Sequence, residues 1–110
     1  MIQRRDAVLA KVFFSGSNGS KIRPAIILSD KQYNEGNFVL IVSITTTNDE
    51  YCIPILEKDA NCQLDKEIAA RFDGIIKLSK KQIIKRIGKI RIEFYQTLIN
   101  KITILIKQTN

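Results

Sequence analysis

The sequence predicts a mainly β domain: about five short strands forming a small β-barrel, capped by a C-terminal amphipathic helix. Three observations predict it. Short runs rich in Val, Ile, Phe and Thr alternate with clusters of Gly, Ser, Asn and Asp over the first two thirds of the chain, which is the punctuation of strands and turns. Beyond Ser79 the apolar spacing changes to that of a helix. The chain has 110 residues, 45% hydrophobic and 26% charged, which is the composition of one folded domain with a modest core rather than a disordered tail. Residues 1–110 therefore read as a single domain, and closing the strands into a barrel removes the exposed edges that loose strands would leave.

The elements follow in order. Ala7 to Phe14 is β-branched and aromatic enough for a strand. Ser15 to Ser20 is all small, turn-forming residues and reads as a loop. Arg23 to Ser29 is a second strand, with Pro24 near its start or on an edge because proline cannot donate to a ladder. Asp30 to Gly36 is polar and turn-like. Phe38 to Thr46 is almost continuously apolar, as a strand buried on both faces would be. Thr47 to Glu50 is a polar loop, Tyr51 to Leu56 a short strand, and Ile68 to Leu78 another. Ser79 is placed as the N-cap of a short helix carrying Ile83, Ile84 and Ile87, which Gly88 stops. From Ile92 onward, Tyr95, Leu98, Ile99, Ile102 and Leu105 share one helical face. Ile104 and Ile106 fall off that stripe, either to cover a second surface such as a dimer interface or to mark strand-like structure at the end.

The formal net charge is +7, from 18 basic and 11 acidic residues, and the excess lies in the last third, where the bases from Lys77 to Lys107 face Glu93 alone. Such a block fits a polyanionic partner, nucleic acid or an acidic protein segment, and equally fits a solvated lysine-rich face. No apolar run is long enough to span a membrane, and the charged start Arg4-Arg5-Asp6 is unlike a signal peptide, so the cytoplasm is the expected location. Cys52 and Cys62 match no zinc pattern and are expected as free thiols.

Histidine is absent. That excludes ribonucleases built on a histidine pair, histidine triads and histidine-ligated metal. No Walker-type phosphate loop is present. No metal and no other cofactor is expected, and proton transfer falls to carboxylates, Lys or Tyr.

One ordered set of segments stands out. A small-residue loop leads into Lys21-Ile22-Arg23-Pro24-Ala25-Ile26-Ile27-Leu28-Ser29; a strand ends in Ile44-Thr45-Thr46-Thr47; then come Arg71-Phe72-Asp73 and Ile87-Gly88-Lys89-Ile90 before the last helix. This order resembles the MazF/PemK family of toxin ribonucleases over nearly the whole chain. The resemblance implies an SH3-like barrel of the MazF/PemK/CcdB type, a homodimer, and a cleft for single-stranded RNA. It implies metal-independent endoribonuclease cleavage of mRNA, with the ribose 2′-OH attacking its own phosphate to leave a 2′,3′-cyclic phosphate and a 5′-OH. It also implies a cognate antitoxin with a flexible acidic segment.

The residue types suit that chemistry. Arg23 offers a permanently charged fork to phosphate oxygens. The hydroxyls of Thr45 and Thr46 can donate to the same oxygens in the manner of an oxyanion hole. Asp73 is the base candidate, and Arg71, two residues away on a strand, points to the same face. The resemblance further implies RNA contacts from Lys21 and the loop residues Ser17, Asn18 and Gly19, a loop that also fits a plain hairpin connection. Plainer readings stand beside these. Arg23 also fits a surface charge before an edge proline. Thr45 to Thr47 also fit strand formers, and Arg71 with Asp73 an exposed ion pair worth under about 1 kcal/mol.

The chain departs from the family pattern at Ile68, where many members carry Ser, at Gly74 after the aspartate, and at Arg91, where Ser usually caps the last helix. These departures keep two alternatives open: a catalytically weakened RNA- or protein-binding module, and a gyrase-inhibitor type of toxin on the same barrel.

Overall fold

The computed structural model of the protein describes residues 2–13, 19–62, 64, 65 and 67–107. Six strands form one antiparallel sheet: β1 (Asp6–Phe13), β2 (Ser20–Ile27), β3 (Phe38–Thr45), β4 (Cys52–Pro54), β5 (Ala69–Ser79) and β6 (Ile83–Lys89), in the order β4-β5-β3-β2-β1-β6. A one-turn helix α1 (Lys31–Asn34) and the C-terminal helix α2 (Ile92–Lys107) complete the fold. The mainly β class with a terminal helix is as the sequence predicts. Closure is not: among the described residues β4 and β6 are the edges of an open sheet. The segment after β4 meets β6 at a single bridge, Ala60 with Ile90. Beside that bridge the Asn61 amide donates to the Lys89 carbonyl at 3.1 Å, and the Lys89 amide donates to Asn61 Oδ1 at 2.6 Å.

The sixth strand lies where a short helix is predicted. The capping signal is genuine, since Ser79 and Gln82 form a capping box around Lys80–Gln82. That turn is 3-10 and ends at once, with Ile83 extended at φ −79°, ψ 122°. The β-branched run Ile83, Ile84 and Ile87 then pairs with β1, and pairing outweighs the local helical start. Gly88 consequently stops no helix. It sits within β6 where an added Cβ would stand 2.2 Å from Cys62 Cβ, so glycine here permits a close approach of two backbones. Asp30 to Gly36 likewise holds more than a turn: Asp30 Oδ1 accepts the Tyr33 amide at 3.0 Å and caps α1.

The sheet buries both faces. Ala7, Ile26, Val42, Ile44, Ala70 and Phe72 pack with α2 in one core, while Val8, Val12, Ala25, Ile27, Val39, Ile41 and Leu78 form another. The apolar run of β3 is thus shared alternately between two cores. In β5 the same parity serves both, because Ala70 and Phe72 belong to the first core but Leu78 to the second. The ladder explains this. Val42 pairs with Ile75 and Ile44 with Ala70, so a short step on β3 matches a longer one on β5. The bulge turns the strand over. It contains Arg71-Phe72-Asp73-Gly74. Pro24 lies in β2 opposite Leu9, where β2 pairs with β1 but not with β3, so its missing donor is tolerated.

Helix α2 starts without a side-chain cap from Arg91. The Arg91 carbonyl accepts the Tyr95 amide and its own amide donates to the Asp59 carbonyl at 2.8 Å, so the backbone is anchored regardless. Phe94, Tyr95, Leu98 and Ile102 are buried, and Tyr95 Oη donates to the Leu28 carbonyl at 2.7 Å. The predicted stripe is narrower at its ends: Ile92 and Leu105 are exposed, as are Ile104 and Ile106. Among the described residues no helix is long and apolar enough to cross a membrane.

Candidate functional site

Strand alternation sets the site. Ala25 pairs with Ser43 across β2 and β3, and Thr45 pairs with Ala69 across β3 and β5. Arg23, two residues before Ala25, therefore shares a sheet face with Thr45, two residues after Ser43. Lys21, Arg23, Pro24, Ile44, Thr45 and Thr46 line one groove of about 220 Å³, with Ile22, Asp65 and Ile68 completing it. Thr45 Oγ1 accepts the Thr47 amide at 3.0 Å, which fixes the hydroxyl at the strand end and leaves its own proton for donation. Two cations and two hydroxyls thus converge where the sequence reading places them. Gly19 precedes β2; Ser17 and Asn18 lie outside the described residues.

Arg71 and Asp73 form a separate cluster and do not line that groove. Arg71 Nη1 donates to Asp73 Oδ1 at 3.0 Å, as their shared face predicts, but Nη2 donates to Asp49 Oδ2 at 2.7 Å. The guanidinium is clamped between two carboxylates. Its pKa rises further, through Asp49 first and Asp73 second. Arg71 and then the Tyr51 amide hold Asp49 below the usual carboxylate range. Asp49 is the residue that sequence reasoning misses: it ties the loop after β3 to the β5 bulge, and nothing in its local sequence announces a partner in Arg71. Gly74 packs against the aliphatic stem of Arg71 at 3.8 Å, measured from the Cβ it lacks.

Four bases of the run from Lys77 onward are engaged elsewhere. Lys77 Nζ stands 4.2 Å from the centre of the Phe38 ring, and Lys80 Nζ donates to the Asn34 carbonyl. Arg86 and Lys89 face the wholly buried Asp6 at 3.6 and 3.5 Å. The groove owes its positive charge to Lys21 and Arg23 instead.

Two further cavities adjoin it. One, of about 310 Å³, runs past Thr46, Thr47, Asn48, Pro54 and Glu67. The other, of about 500 Å³, lies under Ile55, Leu56, Ala60, Cys62 and Leu64. Ile68, only 8% exposed, walls all three. Burial pushes the Cys62 thiol pKa up, so this cysteine is held as the neutral thiol.

Fold and groove together define a small antiparallel β-sheet domain with a terminal helix and a cationic, hydroxyl-edged cleft suited to an anionic ligand. More particularly, the chain belongs to the PemK-like, MazF-like toxins of type II toxin-antitoxin systems, whose family model matches residues 3–106. Among solved structures it is similar to an endoribonuclease in complex with its cognate antitoxin from Mycobacterial species, with TM-score 0.79, 17% identity and 100% of each chain covered. It is similar to Mycobacterium tuberculosis toxin MazF-mt6, with TM-score 0.77, 17% identity and 96% of this chain and 100% of that one covered. It is also similar to MazE-MazF from Deinococcus radiodurans, with TM-score 0.78, 13% identity and 98% of each chain covered. No curated protein sequence matches it.

Proposed function

We propose that this toxin is an endoribonuclease that cuts single-stranded mRNA at a short sequence, without metal, leaving a 2′,3′-cyclic phosphate and a 5′-OH. One observation carries the reading: Arg23, Lys21, Thr45 and Thr46 line a single groove where β2 begins and β3 ends. In that groove the scissile phosphate lies against the Arg23 fork, and its non-bridging oxygens accept from the threonine hydroxyls. Negative charge grows on those oxygens as the 2′-oxygen attacks, so donors fixed beforehand lower the barrier. Asp73 as base, with Arg71 beside it, rests on the family pattern alone, since both lie outside the groove.

The same reading carries a homodimer and a cytoplasmic setting where mRNA is met. An acidic antitoxin segment would compete with RNA for Lys21 and Arg23. The neighbouring endoribonuclease from Mycobacterial species is likewise described with an antitoxin bound.

The test is incubation of the protein with long single-stranded RNA in EDTA, alongside Arg23→Ala, with the cut ends sequenced. Discrete cuts with 5′-OH ends, slowed about 100- to 1,000-fold in the variant, are expected. Cleavage by Arg23→Ala at the parent rate would overturn the assignment. One observation favours a second reading, a binding module without catalysis: Arg71 is already held by Asp49 and Asp73. Salt-sensitive RNA retention with no product would select that reading. Inhibition of gyrase supercoiling would select the gyrase-inhibitor alternative.

A further inference from the structure

We propose that the cavity of about 500 Å³ beside the phosphate groove is the pocket for one base of the substrate strand, and that it selects a base carrying amino N–H donors over uracil. This rests on the ribonuclease reading above and deepens it by naming the specificity site.

The first argument is continuity. Asp65 and Ile68 wall both the phosphate groove and the larger cavity, so a nucleotide whose phosphate meets Arg23 has its base directed along a surface that is already open. Single-stranded RNA is read in this way, with unstacked bases splayed from the backbone into side pockets.

The second argument is the wall. Ile55, Leu56, Leu64 and Ile68 give the cavity aliphatic sides, against which the flat face of a base can lie. Leu56 is 55% exposed, so a large apolar side chain stands in water until something covers it.

The third argument is the polar complement. Among the described residues, the side chains at this cavity that can hydrogen-bond strongly are Glu57, Asp65 and Glu67, all carboxylates. Ionised carboxylates accept hydrogen bonds and donate none. Carboxylates close to a polyanion are unfavourable unless each is matched by donors. The edge of guanine offers adjacent N1–H and N2–H₂ donors, and cytosine and adenine each offer one amino group. Uracil offers two carbonyl acceptors flanking one N–H, and carboxylates repel those acceptors. Guanine, whose adjacent donors match both oxygens of one carboxylate, is the favoured occupant.

The experiment compares the parent with Asp65→Asn and Glu67→Gln. Each substitution keeps the shape and replaces an acceptor-only group by one that also donates, so uracil should become acceptable. Cut sites are sequenced from a long RNA of mixed sequence. In parallel, the binding of short single-stranded RNAs that differ at one base is measured, each with a 2′-deoxy residue at the cut position.

An amino-bearing base is expected at one fixed place in the parent's sites, with its preference over uracil falling about five- to 150-fold in at least one variant. A merely structural role would lower all sites together and leave that ratio unchanged. Parent sites with uracil at every fixed position, or a preference identical in all three proteins, would overturn the proposal. If the parent makes no cuts, the ribonuclease reading fails. The binding series then decides the pocket on its own: discrimination lost in the variants sustains it, and equal binding of all four bases removes it.

Discussion

Gly88→Ala should destabilise the protein by about 2–4 kcal/mol although both residues are small. The added Cβ would stand 2.2 Å from Cys62 Cβ, 2.7 Å from its Sγ and 3.1 Å from Asn61 Oδ1. Relieving the overlap means pushing the 60–62 segment off β6, and overpacking of this kind costs about 1–3 kcal/mol. The movement also strains the two hydrogen bonds between Asn61 and Lys89, at 3.1 and 2.6 Å, each with a net worth of about 1 kcal/mol. Urea unfolding at fixed protein concentration reads the loss, and the melting temperature should fall by about 8–16 °C. Adding Cys62→Gly to Gly88→Ala removes the clashing atoms and should recover at least about 1.5 kcal/mol as coupling between the two sites. Cys62→Ala keeps the Cβ and should recover little. A Gly88→Ala protein within about 0.5 kcal/mol of the parent, or equal rescue by Ala and Gly at position 62, would refute the close-approach argument.

Other outcomes follow from single contacts. Tyr95→Phe removes the bond to the buried Leu28 carbonyl and should cost about 1–2 kcal/mol in urea unfolding, with α2 still formed by circular dichroism. Replacing Arg86 and Lys89 together by Met leaves Asp6 buried without its cations; unfolding should show a loss of about 3–5 kcal/mol, partly restored by adding Asp6→Asn. Asp49 has a lowered folded pKa, so its contribution is complete above its unfolded value of about 3.8 and is lost as pH falls through the lower folded one. The difference in urea midpoint between parent and Asp49→Asn should accordingly be present at about pH 6 and shrink progressively once the pH falls below about 3.8.

Much of the sheet is legible in the sequence because burial on both faces writes long apolar runs. Phe38 to Thr46 is read as a strand from that feature, and β3 occupies Phe38–Thr45. The Ser79 cap is read correctly and its consequence is not, because a capping box describes one turn and the pairing of Ile83–Lys89 with β1 is decided at the other end of the chain. Of the site, the convergence of Lys21, Arg23, Thr45 and Thr46 follows from strand ends and alternation. The second tie of Arg71 does not, since Asp49 reaches it from a loop and loops carry no period. The carboxylates at Asp65 and Glu67 are invisible for the same reason.

The bulge in β5 constrains how the chain can change length. Because it inverts the strand between Ala70 and Ile75, the segments on either side belong to different cores. The facing of each segment is set by its pairing with β3, Ile75 with Val42 and Ala70 with Ile44, and not by how many residues lie between them. Losing one residue from 71–74 would make the excess on β5 even and remove the inversion, and losing two would leave an ordinary bulge; in both cases Ile76 and Leu78 keep their core. A library of one- and two-residue deletions should therefore sort by which side chain is lost, Phe72 from its core or Arg71 from its tie to Asp49, and not by count.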